Sequence, residues 1–218
     1  MSGTLRSSLA EFLGTFALVW LSASAACADA ASGGHAGPLG AALAYGLALA
    51  MLTYAFSSVD AGYFNPALTA GLCLTRRLDP VRAVFLGACQ LLGAGCAGMF
   101  LVRSYHAGAV GGVCALHGVG YRMGTLIEAM TTFWLVFTFC AARLERRDAA
   151  GCAALGAAAA AASLATSTLT GGAFNPARAF GPAVATGQWA NWYVYWAGPL
   201  VGACAAALLY EHLFLEKK

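Results

Sequence analysis

The sequence predicts an all-α membrane protein in which six transmembrane helices and two re-entrant half-helices form an inverted internal repeat. Hydrophobic residues make up 60% of the 218 positions and charged residues only 10%, which is too little polar surface to cover a soluble globule. Six apolar runs each have the length of about 20 residues that a helix needs to cross a bilayer core. Two shorter runs, each about half a bilayer long, begin with the same tetrapeptide.

The six long apolar runs define the transmembrane helices. Hydropathy and length predict these helices at 7–28, 38–58, 80–103, 121–143, 150–169 and 191–214. The connections between them are too short for an extramembrane domain. We therefore expect residues 1–218 to form a single transmembrane domain.

The two shorter segments, 63–76 and 173–186, reveal an internal repeat. Each contains Phe-Asn-Pro-Ala, at Phe64–Ala67 and at Phe174–Ala177. Matching features precede and follow both copies, so the repeats extend over roughly 1–108 and 115–218. Since each repeat holds an odd number of spans, the second copy must enter the membrane from the opposite side. The two half-segments are then expected to meet at mid-membrane.

The paired tetrapeptides are helix starts with a chemical consequence. Asparagine is a favoured N-cap residue, and proline is favoured at the first helical position. The motif residues are Asn65, Pro66 and Ala67 in the first repeat and Asn175, Pro176 and Ala177 in the second. A capping side-chain oxygen leaves the amide NH₂ pointing outward as a fixed donor. Two such donors beside two positive helix ends suit a small acceptor such as a water oxygen, and they repel a cation.

Three charged residues lie inside the predicted membrane region. Arg178 follows the second asparagine closely and costs roughly 2.5–3.5 kcal/mol on insertion scales, so it either extends to the outer interface or lines a pore as a donor that repels cations. Glu11 and Glu128 occupy equivalent positions in the first span of each repeat. We expect these carboxylates to accept hydrogen bonds from backbone amides of the re-entrant loops, which lipid cannot solvate. A proton relay is the alternative role.

The distribution of basic residues predicts the orientation. With alternating spans, only Arg103 and Arg122 fall on one side. The other side receives Arg6, Arg76, Arg77, Arg82, Arg143, Arg146, Arg147, Lys217 and Lys218. The positive-inside rule then places both termini in the cytoplasm. A plasma membrane is favoured over an internal one.

Other classes of function find little support in the sequence. The eight cysteines lie mostly inside apolar runs without CxxC pairs, and we expect buried packing thiols and neither a metal site nor a cofactor. Ser163, His106, His117 and Asp148 lie too far apart in the topology for a catalytic set, so we expect no enzyme. The net charge of +3 does not indicate a nucleic-acid partner, and membrane lipid is the expected surround.

Across nearly its whole length the chain resembles the aquaporin, or major intrinsic protein, family. The resemblance rests on both Asn-Pro-Ala motifs, the extension of the second from Gly172 to Pro182, the paired glutamates, and the segment Tyr195–Pro199. It implies an hourglass fold, a pore in each subunit of a homotetramer, and passive conduction of water with exclusion of protons and ions. It also implies an outer selectivity filter lined by Tyr45, Ser163, Gly172 and Arg178.

Several positions depart from the water-channel pattern of that family. Ser163 occupies the position at which water channels of the family typically have histidine. The smaller side chain makes a wider pore for glycerol, urea, ammonia or hydrogen peroxide the alternative. Ala179 replaces the aspartate typical of glycerol-conducting members, and Tyr45 does not match their usual tryptophan. Tyr63 replaces a histidine that family members often have two residues before the first asparagine. The sequence therefore does not decide whether a loop gates the pore. A secondary transporter and a purely adhesive membrane protein remain as competing classes.

Overall fold

The computed structural model describes residues 3–59, 62–106, 112–146 and 148–215, without the side chains of residues 145 and 146. Arg147, Lys217, Lys218 and the side chain of Arg146, which entered the orientation argument, lie outside the described residues. Within these ranges the chain forms helices α1 (Gly3–Ala31), α2 (Gly37–Ala55), α3 (Pro66–Leu74), α4 (Pro80–Tyr105), α5 (Tyr121–Phe139), α6 (Ala149–Thr170), α7 (Pro176–Thr186) and α8 (Val194–Leu209).

The predicted fold class is confirmed. Six helical segments in the described part of the chain are long and apolar enough to cross a membrane, and no β-strand occurs there. They are α1, α2, α4, α5, α6 and α8. Helices α5 and α8 continue into wide π-helical turns at Cys140–Arg146 and Tyr210–Phe214, which hydropathy did not predict because it does not distinguish a π-helical from an α-helical backbone.

Helix α1 extends beyond the predicted span 7–28 at both ends, whereas α2 ends earlier and α8 begins later than predicted. The second span was expected to reach residue 58, but α2 ends at Ala55, and the N–H of Val59 then closes a turn on Phe56 O at 3.0 Å. The last span was expected from residue 191, but Asn191 has a φ of 53° and belongs to a turn that precedes α8. In both places apolar or aromatic turn residues continue the hydropathy of the helix, so composition alone does not mark the boundary.

The packing of the helices follows the repeat. Helix α1 packs on α4 and α5 packs on α8, while the second spans, α2 and α6, pack on each other. Each half-helix lies against the last helix of the other repeat, α3 on α8 and α7 on α4. Small residues allow the close approach: a Cβ on Gly46 would overlap the carbonyl of Gly156, and a Cβ on Gly156 would overlap that of Gly46.

The half-helices begin in the same way in both repeats. Asn65 and Asn175 have extended backbones, with φ of −150° and −159°, and each side-chain oxygen accepts the N–H two residues on at 2.9 Å. The preceding Phe64 and Phe174 have φ of 48° and 34°, in the left-handed region that side chains other than glycine rarely adopt. Such a conformation costs on the order of 1–3 kcal/mol and persists only where its surroundings hold it.

The cysteines divide between the interior and the outer surface. Cys114, Cys140 and Cys152 are buried, as expected for packing thiols, whereas Cys96 is exposed on α4. Among the described residues, no group of three or more histidine, cysteine, aspartate or glutamate side chains could hold a metal ion.

Candidate functional site

The two asparagine motifs meet and are joined by reciprocal hydrogen bonds. Asn65 Nδ2 donates to Phe174 O at 3.0 Å, and Asn175 Nδ2 donates to Phe64 O at 2.8 Å. Each amide therefore caps its own half-helix through oxygen and ties the two half-helices together through nitrogen. From the sequence, we expected the whole NH₂ of each asparagine to face outward. One N–H of each amide is instead used in the cross-link, and the Asn175 side chain also bonds to the hydroxyl of Tyr45. Because a primary amide has two N–H groups, Asn65 keeps its second one for a solute.

A narrow cavity runs past both asparagines. Its polar lining comes from Asn65, Asn175, Tyr45 and Tyr63. The remaining wall is apolar and consists of Leu18, Leu49, Leu68, Leu135, Phe139 and Leu155. The space open to the centre of a water-sized sphere is about 10 Å³, which is about what one water molecule needs. The site thus offers amide and hydroxyl groups to one small molecule at a time, along a wall that is otherwise apolar.

Glu11 holds the first re-entrant loop from inside the protein. Its side chain is fully buried. One oxygen accepts from the backbone N–H groups of Gly62 and Tyr63 at 2.6 and 2.8 Å. The other accepts from Phe64 N at 2.8 Å and from Gln90 Nε2 at 2.7 Å. These bonds satisfy three consecutive loop amides that no helix or strand could satisfy.

Glu128 stands in the same relation to the second loop. It is also fully buried, and it accepts from Ala173 N at 3.2 Å, from Phe174 N at 2.6 Å and from the hydroxyl of Thr170 at 2.6 Å. Two backbone partners correspond to Tyr63 and Phe64 of the first loop, but the N–H of Gly172, which corresponds to Gly62, donates to the hydroxyl of Thr170 at 3.3 Å. The side-chain partner is a threonine in place of Gln90. Sequence reasoning missed both of these partners. A polar residue in an apolar run is the signal that could have indicated them.

Arg178 is enclosed by protein. Only 5% of its surface is exposed, which excludes the interpretation in which it extends to the outer interface. Its Nη1 donates to Gly112 O at 2.8 Å and contacts Cys114 Sγ at 3.6 Å. Its Nε is buried and has no hydrogen-bond partner among the described residues. The guanidinium is therefore oriented by the segment that precedes α5.

The segment at Gly112 and Cys114 was not recognised from the sequence as part of the site. The Cys114 thiol donates to Gly171 O at 3.8 Å and accepts from Arg178 Nη1 at 3.6 Å. Its sulfur therefore connects the segment before α5 with the loop after α6. Burial raises the pKa of the Cys114 thiol, and the charge of Arg178 opposes this only in part. The residue therefore stays a neutral thiol that can donate weakly and does not cancel the charge of the arginine.

The four residues of the implied filter lie in three different settings. A Cβ on Gly172 would lie 3.5 Å from Ser163 Oγ, so these two residues adjoin, and Gly172 has a φ of +59° that favours glycine. Arg178 lies against the Gly112–Cys114 segment. Tyr45 packs its ring on Phe174, with centroids 4.7 Å apart, and lines the narrow cavity with the asparagines. Tyr45 thus extends to the level of the motifs, which the sequence did not predict.

Comparisons with known proteins show which chains this one is similar to. The family model described as Major intrinsic protein matches residues 1–210. Aquaporin TIP4-1 of Zea mays is 41% identical over 226 residues, which cover 99% of this chain and 88% of that protein. Aquaporin-4 of Bos taurus is 39% identical over 178 residues, covering 79% of this chain and 55% of that protein. The X-ray structure of the aquaglyceroporin from Plasmodium falciparum matches with a TM-score of 0.85 over 96% of each chain; at 20% identity this likeness concerns the fold alone.

Proposed function

This chain belongs to the major intrinsic protein family, and from that premise we propose that it is a passive water channel that excludes protons and ions. Membership supports a membrane channel for water or small solutes, and its curated relatives are named as aquaporins and not as enzymes. The observation that carries the narrower proposal is the pair of cross-linked asparagines on a cavity of about 10 Å³.

Water fits this site in size and in chemistry. A cavity with space for about one molecule favours single-file passage. The second N–H of Asn65 and the Tyr45 hydroxyl beside Asn175 can bond to a water molecule, which replaces part of the hydration that the molecule gives up. The apolar remainder of the wall binds water weakly, so a molecule that enters can also leave.

Cations meet two barriers along the same path. The half-helices α3 and α7 direct their N-termini at the asparagines, and each end carries roughly half a positive elementary charge. Arg178 adds a full charge in a buried setting, where little solvent screens it. In aquaporin-type pores generally, half-helix dipoles and an arginine exclude protons and cations, and the arrangement here supports the same role for Asn65, Asn175 and Arg178.

A broader pore for small neutral solutes is the second candidate. The small side chain of Ser163 adjoins Gly172, so this part of the wall has little bulk. Glycerol, urea, ammonia and hydrogen peroxide are the solutes that such a widening would admit. The buried ring of Tyr45 opposes it from the neighbouring α2.

The proposal also covers the oligomeric state, the orientation and the membrane. We propose a single channel domain built from two inverted repeats, a homotetramer with one pore per subunit, and cytoplasmic termini in a plasma membrane. Exposed large apolar side chains on α2, such as Leu47 at 69% and Met51 at 53%, are suited to lipid or to a neighbouring subunit. Native mass spectrometry of the detergent-solubilised protein tests the tetramer. Protease cleavage of a tag at either terminus in sealed vesicles tests the orientation.

Stopped-flow light scattering on proteoliposomes tests the choice of solute. Water efflux, glycerol entry and urea entry are compared with those of empty vesicles at equal lipid content. Fast water flow without entry of either solute supports the water channel. Fast glycerol or urea entry supports the broader pore, and no flux of any kind would contradict both.

A further inference from the structure

The pore opens at one end into a much wider space. A vestibule of about 360 Å³ lies beside the narrow cavity, at the end of the protein that carries Arg77 and Arg143. By the proposed orientation this end is cytoplasmic. Ser57, Ser58 and both arginines give the vestibule a polar lining, in contrast to the mostly apolar pore.

Two aromatic residues separate the vestibule from the narrow cavity. Tyr63 and Phe139 line both spaces, and no other residue is common to the two linings. Their rings lie edge to face with centroids 5.9 Å apart and an interplanar angle of 64°. A molecule that passes from the vestibule to the asparagines therefore has to pass this pair.

The fold fixes both members of the pair in place. The N–H of Tyr63 donates to the buried carboxylate of Glu11 at 2.8 Å, which anchors its backbone. Phe139 is only 2% exposed and ends α5 within the largest cluster of buried apolar side chains. Side chains that are held in this way do not move aside without a change in the surrounding packing.

The pair exists in one repeat only. In the second repeat the position that matches Tyr63 is Ala173, which has no ring to offer. On that side the proposed filter consists of Ser163, Gly172 and Arg178 instead. The two halves of the pore thus differ in kind, with a charged and polar narrowing on one side and an aromatic narrowing on the other.

We propose that Tyr63 and Phe139 form a second constriction, on the cytoplasmic side of the asparagines and in series with the outer filter. This inference rests on the proposed function, because it concerns resistance to the same flow of water. The constriction sets part of that resistance through the size of the Tyr63 ring.

The test compares the unitary water permeability of Tyr63 variants in proteoliposomes, normalised to the amount of reconstituted protein. For two narrowings of similar resistance in series, removal of one raises the flow by up to about twofold, and a larger ring lowers it more strongly. We expect Tyr63→Ala to raise permeability by up to about twofold and Tyr63→Trp to lower it, whereas Tyr63→Phe, which keeps the ring, should change it least. Tyr54→Trp is the matched control, because Tyr54 is 62% exposed on α2 and lies outside both cavities.

A second comparison uses α5. Phe139→Leu removes bulk at the constriction, whereas Phe137→Leu removes the same bulk from a ring that packs on Tyr210 and Phe214. We expect only Phe139→Leu to raise unitary permeability. If the parent conducts water and the Tyr63 and Phe139 variants match it, the pair is a packing contact and the inference is wrong while the proposed function stands. If neither the parent nor Tyr63→Ala conducts, both fail; a silent parent with a conducting Tyr63→Ala supports the constriction and contradicts the open channel.

Discussion

Loss of the Glu11 carboxylate should destabilise the protein far more than loss of an acidic group at its surface. Glu11→Leu removes the acceptor for the N–H groups of Gly62, Tyr63 and Phe64. A buried donor left without a partner costs about 1–3 kcal/mol, so three of them cost about 3–9 kcal/mol. Gln90 also loses a partner, but its side chain keeps Thr69.

A milder variant, Glu11→Gln, keeps the volume of the side chain and removes only one of its two acceptor oxygens. The remaining oxygen can still accept from the N–H groups of Gly62 and Tyr63. Gln90 can rotate its amide so that its oxygen accepts a hydrogen bond from the new NH₂ group. Phe64 N–H is then the one donor left over, at a cost of about 1–3 kcal/mol. The expected order of stability is therefore parent, Glu11→Gln, Glu11→Leu.

The assay follows the tryptophan fluorescence of purified protein in detergent, since the chain contains five tryptophans. Because unfolding of membrane proteins is often irreversible, the unfolding rate at fixed temperature is the quantity to compare. Glu211→Leu is the control. It breaks a partly exposed ion pair with Arg77 of 2.8 Å, which contributes about 0–1 kcal/mol. If Glu11→Leu unfolds as slowly as Glu211→Leu, the loop amides do not depend on Glu11 and the reasoning is refuted.

Three further variants test the filter and the packing. Arg178→Val should leave water flow largely intact while raising leakage of protons or cations, measured with a pH-sensitive dye in proteoliposomes; unchanged exclusion of both would remove Arg178 from the filter. Ser163→His should lower the ratio of glycerol to water permeability without abolishing water flow, and equal permeabilities in variant and parent would contradict its placement. Gly202→Leu should reduce the yield of folded protein sharply, because its Cβ would overlap the carbonyl of Ala129 in α5, whereas Gly87→Leu, with open space around its Cβ, should not.

Local chemistry explains which parts of the fold were predictable. The starts of both half-helices follow from Asn-Pro, because the cap and the first turn involve only neighbouring residues. The six spans follow from length and hydropathy. The ends of α2 and α8 depend on turns whose apolar residues resemble helix, and the π-helical turns depend on backbone geometry that hydropathy does not contain.

The parts of the site that could not be predicted depend on contacts between distant segments. The asparagine amides bond to carbonyls of the other repeat, and that choice is fixed only when the two half-helices meet. Arg178 is held by Gly112, whose backbone carbonyl carries no signal in a sequence. Likewise, Tyr63 and Phe139 become a pair only because α5 passes beside the first re-entrant loop.

The most direct test of the central claim measures water flow and proton flow in the same proteoliposomes. An osmotic gradient drives water while a pH gradient and a trapped dye report protons, with empty vesicles as the reference. The account predicts water permeability well above that of empty vesicles and proton permeability equal to theirs. Proton flow that rises together with water flow would contradict the roles proposed for the two half-helices and Arg178, and water permeability equal to that of empty vesicles would contradict the channel itself.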